Sequence, residues 1–337
     1  MAGIEVLTPT VRRIRLEPLA GDAMPFSFAA GQYMKVELPV AIGPIERSYS
    51  ICSSPGETGF VEIAVKHEPD GLGSGFLHEE RESGPALRLS GPHGEFTWEP
   101  GSEEATADTL LLIAGGVGIT PLMSVLLAAA DAGHTGRIVL PASFRTEDEV
   151  LFGPEIEALR FRLPGLEVSV FATDRQGWIG YDELLPHAGL STRVHLCGPP
   201  PMMQDLIGRL AEPGVPREAV HTEAFVSGRS KETRREKAHA IALAAAAAGV
   251  TEFMIDTVDG TPALPCGPGQ SVPDAANAVG VALPQSCGEG ACGTCWVRVL
   301  SGAYETDDRG MFSADELAAG WRRAGGRPAR HCPPRTW

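Results

Sequence analysis

Cys287, Cys292 and Cys295 stand within nine residues of one another in the spacing C-x4-C-x2-C. Ferric iron takes soft, negatively charged thiolates, and this spacing wraps one loop around a two-iron cluster, with a fourth cysteine arriving from a distant point. Glycines at 288, 290 and 293 let backbone N–H groups turn towards the sulfurs, where hydrogen bonds tune the reduction potential. Zinc is the competing chemistry, but it usually uses paired C-x2-C knuckles and the cluster contains one such pair. Cys332 is the one cysteine further downstream and is the candidate fourth metal ligand.

A second reactive pattern lies in Leu111-Leu-Ile-Ala-Gly115-Gly116-Val-Gly118-Ile-Thr120-Pro121. An apolar strand runs into a glycine turn and then a helix start. Glycines let a dinucleotide approach the backbone, and the helix N-terminus with Thr120 favours its pyrophosphate. Pro121 suits a first helical turn. This is not the G-x-G-x-x-G fingerprint, and alone it is a weak signal.

The elements that must position these groups change character along the chain. Residues 1 to about 100 alternate strand-like runs (34–38, 61–65, 87–89) with Gly/Pro turns and one weakly helical stretch around 76–81, the pattern of a small antiparallel barrel. From about Thr109 a strand, a helical stretch (121–132) and a strand (137–140) begin a βαβ series that recurs at 166–171 and 193–197, so a parallel sheet with covering helices is expected. Between 227 and 249 a charged run gives way to an alanine run, which reads as a solvated linker. Strand-like runs at 253–258 and 296–300 then flank a helical stretch near 273–279 and the cysteines, a small α+β domain. The expected division is 1–102, 103–226, a linker over 227–250, and 251–337.

The chain has 337 residues with 43 acids against 28 bases, a net charge of -15. That excess argues against broad affinity for nucleic acid or anionic membrane and for docking on basic partner faces. No run of 18 apolar residues and no basic n-region before an apolar core is present, so neither membrane insertion nor secretion is expected and the location is read as cytoplasmic. Seven cysteines in a reducing compartment favour metal ligation over disulfides. Nothing in these residues sets an oligomeric state.

Residues 251 to about 318 resemble a plant-type [2Fe-2S] ferredoxin domain of β-grasp fold, on Pro284-Gln-Ser-Cys-Gly-Glu-Gly-Ala-Cys-Gly-Thr-Cys and the preceding Pro265-Cys-Gly-Pro-Gly-Gln-Ser-Val. Cys266 matches no ligand position in that resemblance and reads as a structural thiol. The tail 321–337 carries five arginines and no acid. Its Gly/Pro content argues against the family's closing strand, so that strand is expected to be missing, as in an aberrant end, and a stable cluster to depend on Cys332.

Arg47-Ser-Tyr49-Ser50-Ile51 matches the R-x-Y-S-[LI] strand of the ferredoxin reductase-like flavoproteins. The resemblance implies an Arg47 fork on flavin phosphate, Tyr49 on the isoalloxazine face and a Ser50 hydroxyl at flavin N5 or O4. Gly31-Gln-Tyr resembles the family's G-Q-[FY] strand, Val65-Lys66-His67 the strand beside the ribityl, and Gly71-Leu-Gly73-Ser74 a phosphate-holding helix start. Gly91-Pro-His-Gly94-Glu-Phe96 resembles the turn of FAD-binding members, which favours FAD over FMN. Gly115 to Pro121 resembles the G-G-x-G-I-T-P motif of the same family, and Cys197-Gly198-Pro-Pro-Pro-Met202 its C-G-P-x-x-M, where nicotinamide meets flavin. Glu223-Ala-Phe225 closes that domain with an aromatic near the flavin, and Arg145 follows the second strand, where NADH and NADPH are told apart.

The whole order is similar to the reductase components of bacterial oxygenase systems, including phenylacetyl-CoA epoxidase reductase and the phthalate or vanillate reductases. It implies a hydride from NADH or NADPH to the flavin, single electrons to the [2Fe-2S] cluster, and delivery to a terminal oxygenase or hydroxylase. Ser50 and Cys197 would orient flavin and nicotinamide. The alternatives are another one-electron acceptor, such as a cytochrome or hybrid-cluster protein, and a diaphorase or redox module without a stable cluster.

Overall fold

The computed structural model describes residues 1–224 except 42, 80–83, 103 and 211, and beyond them 253–255, 264–266, 296–298, 304–305, 317–323 and 327–328. The chain forms two compact units, Met1–Glu223 and Ala224–Trp337.

The first unit begins with β1 (Gly3–Thr8), β2 (Val11–Leu16), β3 (Tyr33–Val40), β4 (Gly43–Ser50), β5 (Val61–Lys66), a short helix α1 (Leu72–Leu77) and β6 (Arg88–His93). Two antiparallel three-stranded sheets, β1-β2-β5 and β4-β3-β6, meet where Ile51 bridges Ile63, and close into the expected barrel. Along β3 the buried Met34, Val36 and Leu38 alternate with Lys35 and Glu37, the period of a strand with one face in a core. Ile14, Leu16, Ile51, Val61, Ile63, Val65 and Leu77 complete that core, each side chain contributing about 1.5–3 kcal/mol by leaving water. The helix starts at Leu72, where the resemblance places a helix start and ahead of the weakly helical stretch read at 76–81; the glycine at 73 leaves no Cβ to obstruct the turn against β3.

The rest of the unit is β7 (Thr109–Gly115), α2 (Ile119–Asp131), β8 (Arg137–Phe144), α3 (Gly153–Arg160), β9 (Leu166–Ala172), α4 (Thr173–Gln176), α5 (Tyr181–Leu184), β10 (Thr192–Gly198), α6 (Pro200–Leu210) and β11 (Val220–Ala224). Their five-stranded sheet has the order β11-β10-β7-β8-β9, with β10, β7, β8 and β9 parallel. All seven residues of β7 are buried, as a strand covered on both faces must be. The order reverses at β7: the chain goes first to β8 and later returns to β10 on its other side, which opens a crevice at the carboxyl ends. Barrel and sheet are docked by the Ser124 hydroxyl, which donates to the Ser53 carbonyl at 2.9 Å in a buried contact, and by the Arg13–Glu155 ion pair at 2.7 Å.

In the second unit β12 (Phe253–Ile255) pairs antiparallel with β13 (Leu264–Cys266), β14 (Trp296–Arg298) with β16 (Trp321–Arg323), and β15 (Tyr304–Glu305) with β17 (Arg327–Pro328). The last two ladders correct the expectation that the tail lacks closing strands. Among the described residues Pro328 sits in a two-stranded pair, where each strand is an edge and tolerates proline. The expected linker (227–250), the helical stretch near 273–279 and the cysteine loop lie outside the described residues. Among the described residues no helix is long and apolar enough to cross a membrane.

Candidate active site

On the barrel side, β4 presents Arg47 and Tyr49 on one face because side chains two apart share a face. Both line up against Gly73 of α1: a Cβ there would lie 3.1 Å from Arg47 Cγ, 3.5 Å from Tyr49 Oη and 3.0 Å from Leu38 Cδ1. The absent side chain leaves a shallow bed in which backbone, arginine and phenol converge. Burial pushes the Tyr49 phenol up to about 12, against the opposing pull of Arg47. Arg47 keeps one N–H on the Glu46 carbonyl at 2.9 Å. The buried Val65 receives the His78 ring N–H on its carbonyl at 2.8 Å, which ties the start of Lys66 to the end of α1. The Ser74 hydroxyl donates to the Gly71 carbonyl at 3.2 Å and accepts from the Glu68 N–H at 3.1 Å, holding the turn before α1.

Ser50, at the end of β4, points the other way, towards the sheet. Its hydroxyl donates to Glu223 Oε2 at 3.3 Å, and both side chains are only 3% exposed. Glu223 is the one carboxylate among the buried side chains of the described residues. The sequence marked Ser50 but gave Glu223 no role. The available signal was the alternation of His221 and Glu223 between the other residues of a short terminal strand.

On the sheet side, the carboxyl ends of β7 and β10 form a floor without side chains. A Cβ on Gly118 would collide with the Cys197 carbonyl; one on Gly115 would lie 2.6 Å from Pro199 Cδ and 2.9 Å from Met202 Cε. One on Gly198 would lie 3.0 Å from Gly115 Cα. Gly116 takes φ +55 with open space above it, so the turn exposes bare backbone to the crevice. The Thr120 hydroxyl donates to the Val117 carbonyl at 2.9 Å, which fixes the glycine turn onto α2. Pro121 falls in the first turn of α2, where its missing N–H removes no intrahelical bond. Cys197 is fully buried at the end of β10 and in no disulfide, and Met202 on α6 covers the floor from beside it.

Arg145 follows β8 and is exposed; its carbonyl accepts the Asp174 N–H at 3.1 Å, which brings α4 beside it, and Arg175 of α4 pairs with Glu147 at 2.7 Å. Phe225 and Cys287, Cys292, Cys295 and Cys332 lie outside the described residues. A cleft of about 780 Å³ lined by Gln32, Ser54, Trp98, Ala128 and Asp131 sits at the far end of α2 and includes none of Ser50, Cys197 or Glu223.

The bed at Gly73 fits a flat, phosphate-bearing ring system, and the glycine floor fits a dinucleotide. The donor set C-x4-C-x2-C fits an iron–sulfur cluster. A barrel beside a sheet with a switch-point crevice defines a flavin- and nucleotide-dependent oxidoreductase. Family models agree: the oxidoreductase FAD-binding domain matches residues 2–98, the oxidoreductase NAD-binding domain 112–207, and the 2Fe-2S iron-sulfur cluster binding domain 256–329.

The glycine betaine monooxygenase reductase subunit of Pseudomonas aeruginosa is 30% identical over 321 residues, 90% of this chain and 85% of that one. A ferredoxin--NADP reductase of Sorangium cellulosum is 34% identical over 241 residues, 67% of this chain and 96% of that one. The crystal structure of phthalate dioxygenase reductase shares the fold, with TM-score 0.58 and 23% identity over 97% of this chain and 93% of that one. The chain belongs to the family of FAD- and [2Fe-2S]-containing NAD(P)H reductases of which the glycine betaine monooxygenase reductase subunit is a member.

Proposed function

We propose that this protein is the reductase component of an oxygenase system and that its terminal partner is an oxygenase or hydroxylase. The observation that carries the site assignment is the buried Ser50–Glu223 pair at the junction of barrel and sheet, beside the side-chain-free floor of Gly115, Gly118 and Gly198. When bound, the flavin accepts a hydride from reduced nicotinamide and releases electrons one at a time, the [2Fe-2S] cluster carrying them onward.

The chain's own residues do the positioning. Arg47, Tyr49, Ile51, Val65, Lys66, Gly73 and Ser74 hold the flavin and its phosphates on the barrel. Gly115, Gly116, Gly118 and Thr120 present backbone N–H groups to the dinucleotide, with Pro121 setting the first turn of α2 behind them; Cys197, Gly198, Met202 and Phe225 shape the nicotinamide end, and Arg145 marks the adenosine end. Glu223 accepts the Ser50 hydroxyl hydrogen bond and so fixes that rotor at the reacting end of the flavin. Cys287, Cys292, Cys295 and Cys332 hold the cluster. The domains run 1–102, 103–226 and 251–337 about a linker at 227–250, and the protein works in the cytoplasm.

Two variants test the order of flow. Cys292→Ser should abolish reduction of a one-electron protein acceptor and spare NAD(P)H-to-ferricyanide activity. Glu223→Gln should lower both by about tenfold or more through kcat. Equal loss of both activities in Cys292→Ser sinks the proposed sequence of carriers, and a Glu223→Gln protein with unaltered kcat removes the role given to the pair.

A further inference from the structure

Phe96 of the barrel, His195 of β10 and His221 of β11 stand in a file of three rings. Phe96 meets His195 edge-on, with centroids 5.0 Å apart and planes at 76°. His195 stacks on His221 at 4.9 Å and 23°. His195 is fully buried, and its Nε2 lies 3.1 Å from the Thr97 carbonyl, so that nitrogen carries the proton and donates across to the barrel. The positions in sequence matter more than the contacts. His195 precedes Cys197 by two residues and His221 precedes Glu223 by two, and residues two apart on a strand share a face about 7 Å apart. On the barrel the same step separates Gly94, whose Cβ position lies 3.9 Å from Glu223 Oε1, from Phe96, which meets His195. The segment 94–97, just past the end of β6, therefore touches both strands: Phe96 and the Thr97 carbonyl meet His195, and Gly94 lies beside Glu223 of the Ser50–Glu223 site.

We propose that the Phe96–His195–His221 file is a spacer that sets the separation of barrel and sheet at the Ser50–Glu223 site, with His195 and His221 as positioning residues for hydride transfer. The proposal rests on the site assignment above. Rings are suited to the task because they are rigid and close-packed, and the Nε2–H···O bond to Thr97 adds a directional tie beside the Ser124–Ser53 bond and the Arg13–Glu155 pair. Transfer between two bound groups is steep in distance, so that about 1 Å of misplacement costs on the order of a hundredfold in rate. An alanine at 195 opens a gap in the file while Ser50, Glu223 and Cys197 keep their side chains.

The test uses the full-length holoprotein with its flavin. His195→Ala and His221→Ala should each lower kcat for NAD(P)H oxidation by about tenfold or more, with KM and bound flavin held within about twofold. The primary deuterium isotope effect on kcat, measured with nicotinamide deuterated at the transferred position, should rise, because the transfer itself becomes slower. His195→Gln, which keeps a donor for the Thr97 carbonyl, should recover part of the loss. A second readout needs no turnover: hydrogen exchange of nucleotide-free protein should show 94–97 and 220–224 loosening together in His195→Ala while α2 keeps its protection. Variants that melt earlier but keep kcat and isotope effect overturn the inference, as does exchange that spreads through the whole sheet. A wild-type protein that oxidises neither nucleotide overturns the site assignment instead.

Discussion

Tyr49 is one of four tyrosines and the one whose phenol is wedged against Gly73 and Leu38, where burial disfavours the phenolate. Its pKa in the folded protein is about 12, above the ordinary value near 10. The sign follows: the neutral phenol is favoured by folding, so its contribution to stability is whole below about pH 10 and is lost as pH rises through about 12. An ultraviolet titration should show one tyrosine ionising near pH 12, absent in Tyr49→Phe; all tyrosines titrating near 10 contradicts the burial. The motif that marks Tyr49 and Ser50 was legible because adjacent residues on one strand carry it. Glu223 was not, because its meaning depends on Ser50, a partner 173 residues away that no local pattern announces.

Among the elements, the turn between β7 and α2 separates two uses of glycine. Gly118 is packed against the Cys197 carbonyl, while Gly116 has φ +55 and open space. Gly118→Ala should cost about 1–3 kcal/mol by forcing β10 and α2 apart, seen as a lower denaturation midpoint, and should remove nucleotide oxidation. Gly116→Ala should cost about 1 kcal/mol for its backbone conformation, fold normally and raise KM for the nucleotide. Equal midpoints for the two variants would contradict this division. The βαβ series was legible since its central strands β7 and β8 are apolar runs buried almost throughout. β1 and β2 were not: Val6 of β1 is 64% exposed, and β2 interleaves Val11, Ile14 and Leu16 with three arginines, of which Arg13 and Arg15 are held by Glu5, Glu62 and Glu155. The exposed edge strand β1 and the arginine-rich middle strand β2 carry their pairing in the backbone, where composition does not record it. The tail strands were missed for the related reason that glycine and proline were counted across the segment and not position by position.

At the scale of the molecule, the net charge of -15 makes encounter with a partner an electrostatic event. Reduction of a basic acceptor such as cytochrome c should slow by about tenfold between low salt and 0.5 M salt, while reduction of anionic ferricyanide should hold or rise. A salt-independent rate with cytochrome c would show that docking does not use the acidic surface. The three-part order was legible because each part carries its own motif. The way the parts' ends come together was not. The Ser50–Glu223 hydrogen bond joins the close of the fourth strand to the close of the eleventh. A ribosome must therefore finish nearly the whole first unit before this contact exists, and a nascent or clipped chain lacking β11 has a barrel and most of a sheet but no Ser50–Glu223 pair. The role proposed for the pair therefore makes fast oxidation of nicotinamide a property of chains that reach residue 223, and a fragment ending before β11 should oxidise it at least about tenfold more slowly.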